Sequence, residues 1–266
     1  MFQTHRMSGL EVVYLMTAAA FAGTINAVAG GGTMLTFPVL LACHTSPIVA
    51  NATSTFALVV GTSASIYGFR QQMAAVKPWF LKFMPVSLLG GLIGSILLTH
   101  TSESTFSRMV PFLIGFATLL FLGQPFFRRF ADSQSHRRKS QGQHAAKFAV
   151  LFQFLVSIYG GYFGAGIGIL MLASLGFLGF TDIHEMNALK NILGSIINLV
   201  AGAYFVAVGL VDWPKAGVMI IGALAGYYVG SHYSQRMSQS FIRRTIVAVG
   251  VLISCRLFWL QFYHGG

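Results

Sequence analysis

The chain has 266 residues, 55% of them hydrophobic and only 9% charged, with a formal net charge of +11 and a mean hydropathy of +0.70. A soluble domain carries about 25% charged residues, so these charges are too few to clothe a solvated surface. Soluble enzymes, nucleic-acid modules and disordered tails are excluded, and the expected solvent is a lipid bilayer.

Apolar pieces follow one another from end to end. In the first half they run 11–28, 33–44, 48–69, 78–99 and 109–127, and in the second 148–164, 166–180, 185–209, 215–234 and 242–260. A span needs about 20 helical residues, so the third, fourth and fifth pieces of each half qualify. The second piece is short, and a glycine cluster separates it from the first. His5 and Arg6 ahead of an apolar stretch, with Ala27-Val28-Ala29 after it, imitate a cleaved signal peptide. Glu11 interrupts that stretch, and its glycine cluster has a counterpart in the second half, so it is read as part of the mature protein.

The counterpart comes from an internal repeat. Shifting the chain by 136 residues gives 15 identities over 80 positions, 29–108 against 165–244. Among them Ala29-Gly30 falls on Ala165-Gly166, Gly32 on Gly168, Asn51-Ala52 on Asn187-Ala188, Pro78 on Pro214, Gly90 on Gly226 and Gly94-Ser95 on Gly230-Ser231. The expected fold is therefore an all-α polytopic membrane protein of two repeats, each with about five helical segments, or 8–10 in all. Short, glycine-broken or re-entrant helices stand near the start of each half. Residues 1–127 form the first repeat, 128–147 a basic linker and 148–266 the second repeat.

Charge gives the orientation. Arg70, Lys77 and Lys82 follow the third piece of the first half, whereas Arg236, Arg243 and Arg244 follow the fourth piece of the second. With the 128–147 loop in the cytoplasm, the other basic clusters also fall inside. This requires inverted repeats with both termini outside, and a first pair of pieces that crosses twice or not at all.

The candidate site residues are the polar and glycine positions inside these pieces. Gly30, Gly31, Gly32 and Gly164, Gly166, Gly168 permit broken helices whose exposed amides suit an anion, or else close helix packing. Asn51, Thr53 and Ser54 in one half, and Asn187, Asn191 and Asn198 in the other, are costly to leave unpaired in hydrocarbon. They line a shared cavity or hold the bundle together. Lys190 lies two turns into its helix, where it is either the charge partner of an anion or a snorkelling side chain. All six carboxylates sit near segment ends, which argues against a cation substrate. Asp182 and Glu185 suit a helix N-terminus, and Asp182, His184 and Glu185 are the candidates for proton coupling. The histidines and two cysteines show no ligand spacing, so no metal is expected. No phosphate-binding loop is present, so no nucleotide or other cofactor is expected.

The stretch Gly23–Ser54, with Gly30-Gly31-Gly32, Pro38, Pro47 and Asn51-Ala52-Thr53-Ser54, resembles the sulfite exporter TauE/SafE family of bacterial membrane permeases. Gly160-Gly161-Tyr162-Phe163-Gly164-Ala165-Gly166-Ile167-Gly168, followed by Asn187 and Lys190-Asn191, is similar to its second repeat. The resemblance covers nearly the whole chain. It implies a multi-pass protein of the bacterial inner membrane that moves sulfite, a sulfonate or another small sulfur-containing anion, with export coupled to protons. A secondary carrier is the leading reading. An anion-selective channel and an intramembrane enzyme are the alternatives, and the latter would need a nucleophile–base pair that the sequence does not display.

Overall fold

A computed structural model describes residues 7–28, 31–68, 73–135, 143–178, 180, 183–233 and 239–263. Among the described residues there are ten helices and no strand: α1 Gly9–Val28, α2 Thr33–Ala42, α3 Pro47–Gly68, α4 Met73–His100, α5 Glu103–Ser135, α6 Gln143–Tyr162, α7 Ile167–Phe177, α8 Ile183–Ala207, α9 Trp213–Tyr233 and α10 Gln239–Tyr263. Stretches of α1, α4, α5 and α8 are long and apolar enough to cross a membrane. The expected all-α polytopic architecture is what the chain adopts.

Local chemistry sets the helix starts. The Ser8 hydroxyl accepts the Glu11 N–H at 3.2 Å while the Glu11 carboxylate accepts the Ser8 N–H at 2.8 Å, a capping box that opens α1. Glu11 is thus an N-terminal device and no interruption. Asp212 opens α9, its Oδ1 accepting the Lys215 N–H at 3.2 Å. Helix α5 runs past the apolar limit at 127 to Ser135, and α6 begins at Gln143, so helix enters the basic linker from both sides. Residues 136–142 of that linker lie outside the described residues.

The halves interlock. Helix α1 packs on α9, and its equivalent α6 packs on α4; α3 packs on α9 and α8 on α4; α3 meets α8, and α5 meets α10. Glycines permit the closest approaches. Gly222 lies against Met16 and Gly226 against Ala20, so α1 and α9 run in the same direction. Gly90 meets Phe154 and Gly94 meets Ile158, so α4 and α6 also run together. Gly90 and Gly226 are matched to each other by the repeat, so backbone approach is what the shared glycine provides. Helix α3 runs with α9, since Phe56 packs on Trp213 with ring centroids 5.3 Å apart and Gly61 packs on Tyr227. Helices α5 and α10 run oppositely, with Phe112 on Phe258 at 5.1 Å and Thr118 beside Gly250.

The short helices have 10 and 11 residues, or about 15 Å each, half of the roughly 30 Å hydrocarbon core. Neither can span alone. The end of α2 returns toward the start of α1, where the Glu11 carboxylate acts on the Cys43 thiol. The end of α7 returns toward the start of α4, where Phe180 packs on Trp79 at 5.8 Å. Each break therefore lies inside the bundle, and each short helix leads back to one end of it.

Candidate functional site

Both helix breaks are built from glycines in conformations that side chains resist. Gly31 has φ 105° and Gly166 has φ 79°, left-handed values that carry a steric penalty for any residue with a Cβ. A Cβ at Gly31 would strike the Phe121 ring, and one at Gly166 would rest 3.4 Å from Leu120 and 3.8 Å from Phe121. Phe121 of α5 is 0% exposed. The breaks of the two repeats therefore converge on one aromatic ring.

Around the first break the Gly32 N–H donates to Asn26 Oδ1 at 2.7 Å. One turn into α2, Thr36 shares a 2.6 Å hydrogen bond with Ser54 of α3. Around the second break the Tyr159 hydroxyl donates to the Ala165 carbonyl at 2.8 Å. Asn51 of α3 donates through Nδ2 to the Tyr162 carbonyl at 3.0 Å. Asn198 of α8 stands beside Gly164, its Oδ1 3.8 Å from where a Cβ would be. Asn51 is 1% exposed, and its Oδ1 has no partner. A buried amide acceptor left unpaired carries a desolvation penalty, while the donor end of Asn51 is already committed to Tyr162.

The expected site residues divide accordingly. Gly31, Gly32 and Ser54 meet at the first break, and Asn51, Gly164, Gly166 and Asn198 at the second, with Gly168 buried in the first turn of α7. Thr53 turns away, its hydroxyl accepting the Asp212 N–H at 3.0 Å. The hydroxyls of Thr53 and Ser54 are thus both engaged within the protein. Asn187 and Asn191 are half-buried on α8. Glu185 lies in the first turn of α8. Gly30, Asp182 and the side chain of His184 lie outside the described residues.

Lys190 is 3% exposed. The ion pair found among the described residues joins Lys215 to Asp212, and Lys190 has neither an ion-pair nor a hydrogen-bond partner among them. An unpaired cation at such burial is costly.

Asn26, Thr36, Ser195 and Phe121 escape the sequence reading. Asn26 and Thr36 are polar residues in apolar runs, a signal open to notice. Ser195 is buried with an unpaired hydroxyl one turn from Asn191 and Asn198; Phe121 is one of 24 phenylalanines and carries no such signal. A separate groove of about 1000 Å³ opens between α1, α2 and α10, lined by Phe21, Leu35, Val39 and Ile253 among others, and none of the expected site residues borders it.

Interlocked helix halves with paired internal breaks, polar residues gathered at those breaks and a buried cation define a polytopic membrane protein of transporter build. A model of the family described as "Sulfite exporter TauE/SafE" matches residues 15–257, and the chain belongs to that family. It is 28% identical to a "Probable membrane transporter protein" of Haemophilus influenzae, over 96% of this chain and 98% of the relative. It is also 28% identical to "Probable membrane transporter protein YfcA" of Escherichia coli K12, over 95% of this chain and 91% of the relative. "Probable membrane transporter protein YunE" of Bacillus subtilis is 23% identical over 94% of this chain and 98% of its own length. No solved structure matches. The family and these names support a membrane transporter.

Proposed function

We propose that the chain is a secondary carrier that exports a small sulfur-containing anion, sulfite or an organosulfonate, across the bacterial inner membrane. The observation that carries this is Lys190, a buried cation with no protein counter-charge among the described residues. In a low-dielectric interior a mobile anion is the natural partner for it. The glycine breaks start two short helices whose N-termini suit an anion, and Asn187, Asn191 and Asn198 add side-chain donors on one face of α8.

Residues 1–127 and 148–266 act as two repeats about the basic 128–147 linker, which lies in the cytoplasm. Helices α1, α3 and α9 run one way while their repeat equivalents α6, α8 and α4 run the other, and this supports inverted halves that rock about the breaks to alternate access. A proton-coupling role for Asp182, His184 and Glu185 at the start of α8 belongs to the same reading. It is a reading of transport and not of catalysis.

The test is thermal stabilisation of the detergent-purified protein, wild type beside Lys190→Ala, with sulfite, thiosulfate, sulfate, taurine, sulfoacetate, acetate, sodium and potassium. A ligand at 100 times its Kd adds about 2.7 kcal/mol, or about 8 °C in a chain of this size. A sulfur anion should stabilise the wild type and leave Lys190→Ala unmoved. Stabilisation by a cation with none by any anion would sink the proposal.

A further inference from the structure

We propose that the loop between α2 and α3 is a gate, held shut by Lys215 at the start of α9. The Lys215 ammonium donates to the Cys43 carbonyl at 3.0 Å and to the Thr45 hydroxyl at 2.9 Å. It lies 3.3 Å from the Asp212 carboxylate, and the Asp212 N–H is itself anchored on Thr53 of α3. One side chain thus ties the loop to α9 and α3. Between Cys43 and Thr45, His44 holds φ 57°, a left-handed value that a residue with a side chain adopts at a cost. The contacts of Lys215 offset that cost while the loop is closed. Because α2 spans only 10 residues between this loop and the Gly31–Gly32 break, releasing the loop frees the short helix and uncovers the break.

The other end of the bundle has the same construction in different chemistry. Trp79 occupies the repeat position of Lys215 (215 − 79 = 136), and Phe180 that of His44 (180 − 44 = 136). Trp79 packs on Phe180 at 5.8 Å and on Phe83 at 5.6 Å. Cys43 and Thr45 after α2, and Phe180 after α7, are therefore each held near the start of a helix belonging to the opposite half. The grip is ionic and hydrogen-bonded at one end and aromatic at the other. Two grips of independent chemistry can be released one at a time, as alternating access requires. Its use in transport rests on the carrier reading above, but the state of the loop does not.

Cys43 is a native reporter, 4% exposed in the closed loop. Burial raises its thiol above the ordinary range, the nearby Glu11 carboxylate adds to this and Lys215 opposes it. Removing Lys215 therefore disfavours the reactive thiolate, and a faster reaction reports access alone. In a Cys255→Ser background, modification of Cys43 by a membrane-impermeant maleimide should accelerate about ten-fold in Lys215→Met, a factor suited to losing hydrogen bonds from a charged donor. Thr45→Val should accelerate it by a smaller factor, and Lys215→Arg should stay near the parent rate. If Lys215→Met fails to fold, Thr45→Val decides alone. Unchanged rates in both Lys215→Met and Thr45→Val, or in whichever of the two folds, would overturn the gate. So would an equal acceleration in Trp79→Ala, because the effect would then be general loosening of the bundle. Neither result depends on which anion is carried, so failure of the gate and failure of the substrate assignment are separable.

Discussion

The parallel packing of α1 on α9 makes a sharp prediction about one methyl group. A Cβ at Gly226 would collide with the Ala20 carbonyl oxygen and also crowd its carbonyl carbon and Cα. These are backbone atoms of a helix, so no rotamer change can relieve the clash and α1 must move as a body. Overpacking of this kind costs typically 1–3 kcal/mol, and a backbone clash places Gly226→Ala at about 3 kcal/mol. Gly217 on the same helix is the internal control, because a Cβ there meets nothing within 4 Å. Alanine at that helical position should gain about 1 kcal/mol by restricting the unfolded chain. At about 3 °C per kcal/mol, the two variants should melt about 12 °C apart, on opposite sides of the wild type. A thermal scan of monodisperse detergent-purified protein reads this directly. If Gly226→Ala melts with or above the wild type, α1 and α9 are not in this register, and the interlocking of the halves falls with it.

Two further substitutions test the breaks. Gly166→Ala adds a side chain at φ 79° and should destabilise by about 1–2 kcal/mol, whereas Gly194→Ala, where nothing lies within 4 Å, should not lower the melting temperature. Asn51→Ala removes the buried Asn51 amide and strips the donor from the Tyr162 carbonyl, and should cost about 1–3 kcal/mol; a melting temperature equal to the wild type would remove Asn51 from the second break.

Much of this architecture is legible in the chain because the bilayer imposes a coarse grammar. Apolar pieces of about 20 residues become helices, and the 136-residue shift carries Pro47 at the start of α3 to Ile183 at the start of α8, and Glu103 at the start of α5 to Gln239 at the start of α10. The glycines at the breaks are legible for the same reason, since positive φ there tolerates little else. Packing partners are another matter. That α1 should choose α9 of the other half depends on Gly222 and Gly226 meeting the backbone at Met16 and Ala20, and Gly23 meeting that at Ala223, and a one-dimensional pattern has no register for two helices about 200 residues apart. Thr53 and Ser54 show the same limit. Their polarity marks them as engaged, but whether a hydroxyl meets a guest, a backbone amide or Thr36 is decided by helix rotation, which composition leaves open.

The repeat also explains why a symmetric scaffold would hold an asymmetric guest. Ser54 and Lys190 occupy the same repeat position (190 − 54 = 136). In the first half this position holds a hydroxyl, closed in a 2.6 Å bond to Thr36. The position equivalent to Thr36 in the second half is Leu172 (172 − 36 = 136), which offers lysine no acceptor. The first repeat thus satisfies its polar group internally, while the second lengthens and charges it and removes its partner. A neutral pair suffices to hold helices together, so cohesion alone gives no reason for the change. A cation without a partner is what the proposed anion site requires, and the repeat puts that charge in one half only. On the carrier proposal, the backbone machinery that moves is shared between the halves while the charge that selects belongs to one of them.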